Sequence, residues 1–540
     1  MGGFGFAALF LIAYLVISQF GKVSTEASGV ASAGTLELAR GTIADRAGFP
    51  LALDVFTYDI EASPAQLGRG DRDALAKDLS EILRMPYEQL RPKLDTTNSY
   101  VSLAEGQSAE IAAAVMKLTG KPKRPVNAVA HPSRHYPEGT LACHVLGFVN
   151  QRPGGCYGVE EYYQQDLERR EIRIEELGFA SLEKVQTAGT TLRLTIDRFA
   201  QQVAEAELEA GVRQTRATGG QVIVLLAKTS EVLAMASWPV YNPKEFWEVP
   251  QSTWGNPAIS EAYEPGSVFK VVTYAAALDS GTIKPTDWFN DPGMIEVGGR
   301  KIYNWDRARH GSVDVVGALG NSLNVVAADI TQRMGRNTFY TYVRRFGFGQ
   351  LSEVDMAGES PGLLKTPNDP TWSDSDLGTN SFGQGISVTP LQMINAVASI
   401  ANDGMLMSPQ VVQQKTVGGQ VLEMRPRNIR RTVSPETART MTDLLVQMVD
   451  EYMPEARVPG YSIAGKTGTA EIPIGGAYHP TDCIVSFVGY GPATNPELII
   501  LVKLDRPQTV KTGREAAVPV FRKIATQLFK YLAIQPDRKN

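Results

Sequence analysis

Cysteine and histidine are scarce in this chain, with three Cys and five His among 540 residues. No group of them has metal-ligand spacing, which argues against a metalloenzyme, and no metal or other cofactor is expected. Positive charge is not in surplus either: 53 Lys and Arg stand against 58 Asp and Glu, a net charge of -5. That balance argues against a nucleic-acid partner. Repeats and low-complexity tracts are absent. With 43% hydrophobic and 21% charged residues, the composition is that of a folded protein. The length suggests two or three domains and enough material for a large core.

One uncharged apolar run stands apart, from Phe4 to Phe20, ended by Gly21 and Lys22. It is at the short end of the roughly 17–25 residues that cross a bilayer. The run predicts a membrane anchor over residues 1–22, although no basic residues precede it to mark a cytoplasmic side. A cleaved signal peptide is the rival reading, with Ala31-Ser-Ala33 as a poor cleavage site. Both readings put the remaining chain outside the cytoplasm, where a disulfide is permitted. Cys143 and Cys156 could pair across a short loop; two free buried thiols is the blander alternative. Cys483 has no obvious partner.

Residues 23–185 read as one mixed region. Asp71–Leu94 carries an interrupted, charged amphipathic helix pattern, Lys121–Pro125 a basic linker, and Glu160–Glu176 a charge-dense pattern that predicts a solvated helix. The character changes near Thr190. Thr191–Asp197 alternates as a strand does, with a helical pattern following to Leu208. Gln221–Ala227 and Glu231–Ala236 predict a hairpin around Lys228-Thr-Ser230. Ser267–Leu278, closed by Gly281, predicts a buried helix; Asn324–Met334, followed by Gly335, and Pro390–Ala401 predict two more. Tyr461–Ala470, Cys483–Tyr490 and Leu498–Leu504 read as consecutive strands, and Ala516–Leu532 as a closing helix. The order predicts an α+β domain whose antiparallel sheet is sandwiched by helices, its two chain ends meeting.

Serine is a weak nucleophile unless a base activates it. A lysine three residues later on a helix lies on the same face, within reach. Ser267 and Lys270 have that spacing, but so do Ser181 and Lys184, and such pairs arise by chance in a long chain. Context separates them. Ser181 sits among charges, whereas Ser267 follows Glu264-Pro-Gly266, a turn that sets the serine at a helix start. There the free N–H groups and the helix dipole favour developing negative charge. Lys270 enters an apolar helix. A base must be neutral, and lowering a lysine from about 10.4 to about 7.5 means ~4 kcal/mol of destabilised charge. Burial and a second nearby cation both act in that direction. Lys466-Thr-Gly-Thr469, on a strand pattern with small neighbours, supplies such a cation. Lys511-Thr-Gly513 has the same three residue types but reads as a loop and is set aside. Ser322-Leu-Asn324, between two helical segments, offers a hydroxyl to relay a proton and an amide to hold substrate. For that serine alone, helix capping is the simpler role.

The ordered set Ser267-x-x-Lys270, Ser322-x-Asn324 and Lys466-Thr-Gly468 resembles the one found in class A β-lactamases and penicillin-binding proteins, with Leu323 where the Ser-Asp-Asn form has Asp. Tyr263-Glu-Pro-Gly-Ser-Val-Phe-Lys270 and Phe382-Gly-Gln-Gly-Ile-Ser-Val-Thr-Pro390 then resemble a class B penicillin-binding protein, nearer the division and sporulation types than the elongation type. Arg40-Gly-Thr-Ile-Ala-Asp45-Arg-Ala-Gly48, Arg134-His-Tyr-Pro-Glu-Gly139 and Gly155-x-x-Gly158-Val-Glu160-x-x-Tyr163 resemble the motifs of that family's elongated, mixed α/β pedestal. There Arg40, Asp45 and Glu160 are expected to form an ion-pair network, not a second active site. The implied division is an anchor (1–22), a non-catalytic pedestal or dimerisation domain (23–185) and a transpeptidase domain (186–540).

The resemblance implies a peptidoglycan D,D-transpeptidase, inhibited by β-lactams, with Ser267 as nucleophile, Lys270 as base and Ser322 as proton relay. Asn324 would bind a peptide amide. Lys466 and Thr467 would hold the substrate carboxylate, alongside Gly468 and Thr469, whose backbone N–H would join that of Ser267 in an oxyanion hole. Ideal alternation puts Lys466 and Thr467 on opposite strand faces, so their shared role comes from the family alone. The implied setting is a single-pass membrane protein, extracytoplasmic, working on D-Ala-D-Ala stem peptides with a SEDS-type glycosyltransferase and division or elongation partners. The family also implies that a bifunctional synthase would carry a Glu-Asp motif, and none occurs. A β-lactamase would need a deacylating glutamate, for which neither Glu353 nor Glu359 fits. A β-lactam-sensing receptor would carry a cytoplasmic effector region or several spans.

Overall fold

The computed structural model describes residues 35–37, 39–119, 124–150, 154–168, 171–173, 190–474 and 477–538. The expected anchor and the Ser181–Lys184 pair lie outside these residues. Among the described residues no helix is long and apolar enough to cross a membrane.

The catalytic-type domain is built on a five-stranded antiparallel sheet. Its strands are β1 (Gly219–Leu226), β2 (Val232–Trp238), β3 (Ala464–Ile474), β4 (Ala477–Gly491) and β5 (Leu498–Asp505), in the order β2-β1-β5-β4-β3. β1 and β2 form the expected hairpin, and β3-β4-β5 a meander that β5 joins to β1. Six helices matter here: α1 (Arg198–Thr215), α2 (Lys270–Asp279), α3 (Asn324–Met334), α4 (Pro390–Ala401), α5 (Pro435–Tyr452) and α6 (Gly513–Tyr531). The terminal pair, α1 and α6, packs on one face of the sheet, and α4 and α5 pack on the other, with α2 and α3 behind them. This double cover explains why β1 and β5 are apolar almost throughout and buried along nearly their whole length.

Local signals set the helix ends. α4 starts with Pro390 in its first turn and a capping box between Thr389 and Gln392. Asp197 accepts from the Ala200 N–H at 3.0 Å to cap α1. Gly211 lets α1 approach α6, since a Cβ there would lie 2.7 Å from Val520.

The pedestal shares a sheet with this domain. Thr191–Leu194, Val412–Val417 and Gln420–Glu423 extend a sheet that continues into Ile43–Ala44, Pro50–Ala62 and Val101–Gln107, with Val126–His135 also on Pro50–Ala62. Hydrogen bonding therefore runs across the expected boundary at 185/186. A separate small core holds Leu75, Leu79, Leu83, Leu90 and Leu103. The Asp71–Leu94 pattern is two helices, Arg69–Leu83 and Tyr87–Lys93, broken at the left-handed Arg84 and at Pro86.

The solvated helix expected over Glu160–Glu176 is not formed. Short helices occupy Gly158–Tyr162 and Gln164–Leu167, Glu171–Arg173 is a strand, and Glu160 is fully buried. Glu160 accepts from Arg40 and Arg134, each at 2.7 Å, and Arg134 also reaches Asp54 at 3.3 Å. Asp45 stands outside this ion-pair network: its carboxylate accepts the N–H groups of Ala47 and Phe49 and closes a turn. Aspartate at such a position satisfies local backbone donors, and Asp54 takes the place expected for it. Gly158, with φ +53, packs where a Cβ would lie 2.3 Å from the Val145 carbonyl, and it bridges to Ala357 of the other domain. All three cysteines are free, and Cys143 and Cys156 are not paired.

Candidate active site

The turn before α2 positions the serine. Gly266 has φ +55, and a Cβ there would lie 2.7 Å from the Thr469 carbonyl, so only glycine lets the turn touch strand β3. Residues Gly266–Phe269 form a short 3₁₀ turn that leads into α2. Ser267 is partly exposed, while Lys270, one turn on, is fully buried.

Lys270 Nζ lies 3.0 Å from Ser267 Oγ. It donates to the Ser322 carbonyl at 2.6 Å and to Asn324 Oδ1 at 2.8 Å, with Ser322 Oγ at 3.1 Å. A neutral amine has two protons and one lone pair. With those two acceptors taking its protons, the neutral form would turn its lone pair to the Ser267 hydroxyl. Burial, with the Lys466 charge as second cause, holds Lys270 well below the ordinary lysine range. Lys466 is 1% exposed and is brought down to about 7 by burial. Its Nζ donates to Ser322 Oγ at 3.2 Å. One hydroxyl thus sits between two buried amines.

Ser322 holds that place in the left-handed region, at φ 55, in the turn between Val315–Gly320 and α3. Such backbone costs a non-glycine residue about 1–3 kcal/mol and persists only where the surroundings enforce it. The capping role open to this serine is not taken: α3 begins after Leu323 without a side-chain cap. Asn324 Nδ2 donates to the Tyr303 carbonyl at 3.2 Å, so its amide orientation is set from both ends.

Strand β3 is the sheet edge, so one side of its backbone has no strand neighbour. Its residues alternate as the pleat requires. Thr467 and Thr469 face the cleft, while Lys466 and Gly468 are buried behind them. A Cβ on Gly468 would lie 2.5 Å from Ser486 Oγ and 2.8 Å from the Pro265 carbonyl. Glycine therefore allows β3 and the turn to meet.

These groups open into a cleft of 780 Å³ lined by Ser267, Ser322, Asn324, Thr467 and Thr469. Of the residues the sequence argument named, these five line the cleft, and Lys270, Lys466 and Gly468 lie behind its wall. Other parts of the wall were missed in the sequence. Lys511-Thr-Gly513, set aside as a loop, forms one side: Thr512 caps α6, and the Gly513 N–H donates to Thr469 Oγ1 at 3.4 Å. The opposite side is the hairpin of Met294–Val297 and Arg300–Tyr303, with Trp305 beyond it. The paired glycines Gly298 and Gly299 between alternating residues were the available hairpin signal. Glu471 is the one acidic residue lining the cleft among the described residues. Glu359 instead accepts from the Ser352 N–H at 2.6 Å, and Glu353 pairs with Arg427, both away from Ser267.

Residues 220–526 match the model described as the penicillin binding protein transpeptidase domain, and residues 35–186 that of the penicillin-binding protein dimerisation domain. Stage V sporulation protein D of Bacillus subtilis is 31% identical over 524 residues, covering 93% of this chain and 79% of the relative. The peptidoglycan D,D-transpeptidase FtsI homolog of Mesostigma viride is 29% identical over 533 residues, covering 92% and 88%. The crystal structure of penicillin binding protein 3 from Mycobacterium tuberculosis, complexed with aztreonam, superposes with a TM-score of 0.73 at 27% identity, covering 93% and 98%.

Proposed function

The chain belongs to the penicillin-binding protein transpeptidase family, in its class B branch of division and sporulation type, and from that premise we propose how its residues cross-link peptidoglycan. It is a D,D-transpeptidase that forms an acyl-enzyme on Ser267, releases D-Ala and is inhibited by β-lactams. The observation that supports the residue assignments is the chain of contacts Ser267–Lys270–Ser322–Lys466, in which a buried lysine held well below its ordinary range lies against a partly exposed serine of the cleft.

Ser267 Oγ attacks the carbonyl of the penultimate D-Ala, and Lys270 accepts the hydroxyl proton. Negative charge on the carbonyl oxygen meets the backbone N–H groups of Ser267 and Thr469, a reading supported by the open edge of β3. The C–N bond breaks as the departing D-Ala amine takes the proton back through Ser322. A second stem peptide's amine then attacks the ester and gives a proton to Lys270; the ester C–O bond breaks, and Lys270 returns that proton to Ser267 Oγ, restoring the free serine. Thr467 and Thr469 hold the substrate carboxylate from the cleft side. Lys466 acts from behind the strand, through Ser322 and its field on Lys270. Asn324 orients both Lys270 and the substrate amide.

The apolar run Phe4–Phe20 supports an anchor that keeps this chemistry outside the membrane, and the pedestal is where a SEDS-type glycosyltransferase would dock. Labelled penicillin tests the assignment of Ser267. A stable adduct on the wild type, absent in Ser267→Ala, is expected. Rapid release of the label would favour a β-lactamase, and no label on the wild type would sink the reading.

A further inference from the structure

The cleft wall carries charge that the acyl-transfer steps do not use. Arg300 and Lys301 project from the Met294–Tyr303 hairpin, Arg307 follows on the same side, and Lys511 and Arg514 line the opposite wall. Five cations thus face one acidic lining residue, Glu471, in a chain whose net charge is -5. The bias is local and cannot come from composition.

The fold meets this charge only in part: Arg300 acts through its field on Glu264, which is buried and accepts from Tyr478. No described carboxylate forms an ion pair with Arg300, Lys301 or Arg307, although Arg307 stacks on the Tyr303 ring at 5.4 Å. Lys511 donates to the Pro507 carbonyl at 2.7 Å. Arg514 pairs with Glu455 at 2.6 Å, with both side chains about half exposed, a contact of little energetic weight. Like charges gathered around a cleft repel one another and persist at low cost only while water or an anionic ligand fills the space between them. Such a field raises the local concentration of anions and the rate at which they arrive.

Building on the transpeptidase reading, we propose that this rim selects donor stem peptides with free carboxylates upstream of the D-Ala-D-Ala end, in preference to the same peptides with those carboxylates amidated. The terminal carboxylate has its own place at Thr467 and Thr469, deeper than the rim. The rim cations therefore address the acidic groups of residues nearer the glycan, which lie along the cleft when the scissile bond is at Ser267. Arg300, Lys301 and Arg307 are the specificity residues on this account, with Lys511 and Arg514 adding to the field from the other wall.

The test uses two synthetic acyl donors with a thioester in place of the scissile amide, identical except for a carboxylate or a carboxamide on the residue before the reacting D-Ala. Acylation of the full chain is followed by mass spectrometry at low and high salt. The wild type should be acylated at least about tenfold faster by the carboxylate donor, about 1.4 kcal/mol. That advantage should shrink as salt screens the rim. In the triple variant R300Q/K301Q/R307Q most of it should disappear, and complete penicillin labelling at long times certifies that the variant folds. Equal rates or no acylation with both donors, on a wild type that penicillin does label, overturns the proposal alone. A preference that resists both salt and the triple substitution also overturns it. A wild type that neither donor nor penicillin acylates overturns the proposal together with the transpeptidase reading.

Discussion

Replacing Lys466 by methionine separates what that buried amine costs the fold from what it contributes to catalysis. Its folded pKa, about 7, lies below the ordinary 10.5. Between those values the unfolded chain binds a proton that the folded chain does not, so stability rises with pH across the window from about 7 to 10.5. Integrated, the lysine costs the folded state about 4 kcal/mol at pH 7 and about 2 kcal/mol at pH 9. Lys466→Met removes this cost, together with packing effects that are independent of pH. The quantity to measure is therefore the Tm difference between variant and wild type at the two pH values, at one scan rate. With roughly 2.1 cal/mol/K of unfolding entropy per residue over roughly 350 residues, 2 kcal/mol corresponds to about 3 °C. The variant's Tm relative to wild type should be about 3 °C more favourable at pH 7 than at pH 9. The same substitution removes a charge that depresses Lys270. The acid limb of penicillin acylation, which rises as Lys270 loses its proton, should move to higher pH. A Tm difference that is the same at pH 7 and pH 9 would refute the reasoning, because it would mean that Lys466 titrates as an ordinary lysine.

Three other substitutions probe the remaining links. Ser322→Ala breaks the hydroxyl bridge between the lysines and should slow acylation by labelled penicillin about 10²-fold or more, with a Tm near that of the wild type. Gly468→Ala forces a Cβ against Ser486 and the Pro265 carbonyl; it should cost about 1–3 kcal/mol in denaturant unfolding. Its acylation rate should fall further than that loss accounts for, because Pro265 belongs to the turn that carries Ser267. Glu160→Ala leaves Arg40 and Arg134 buried without their shared carboxylate. It should destabilise the pedestal by about 3–5 kcal/mol, seen as early proteolysis N-terminal to residue 190, while Ser267 still takes penicillin.

Much of the catalytic-type domain was legible in the chain because its signals are local. α3 and α4 have the expected bounds, Asn324–Met334 and Pro390–Ala401, since Gly335 stops one and the Thr389-Pro390 cap starts the other. The spacing of Ser267 and Lys270 determined that they share a face, and the apolar residues after Lys270 determined that the lysine would be desolvated. Alternation likewise determined that Lys466 and Thr467 point to opposite sides of their strand.

Other features depended on which segments meet, and no local signal carries that. The local pattern around Glu160 reads as solvated, and only the family resemblance pointed to its pairing with Arg40; two distant arginines, Arg40 and Arg134, make its burial possible. Lys511-Thr-Gly513 looked like a decoy until the start of α6 was seen to form a cleft wall beside Thr469. The cationic rim comes from a hairpin and a helix start more than 200 residues apart. The sequence by itself determined that Ser267 and Lys270 share a face and that keeping such a lysine neutral needs burial and a second cation, because these follow from helix periodicity and from the energy of a buried charge. Only the tertiary structure decided that Ser322 would bridge the two lysines, and which charges would surround the substrate. Those contacts join residues far apart in the chain, and their partners are chosen when the sheet and helices pack.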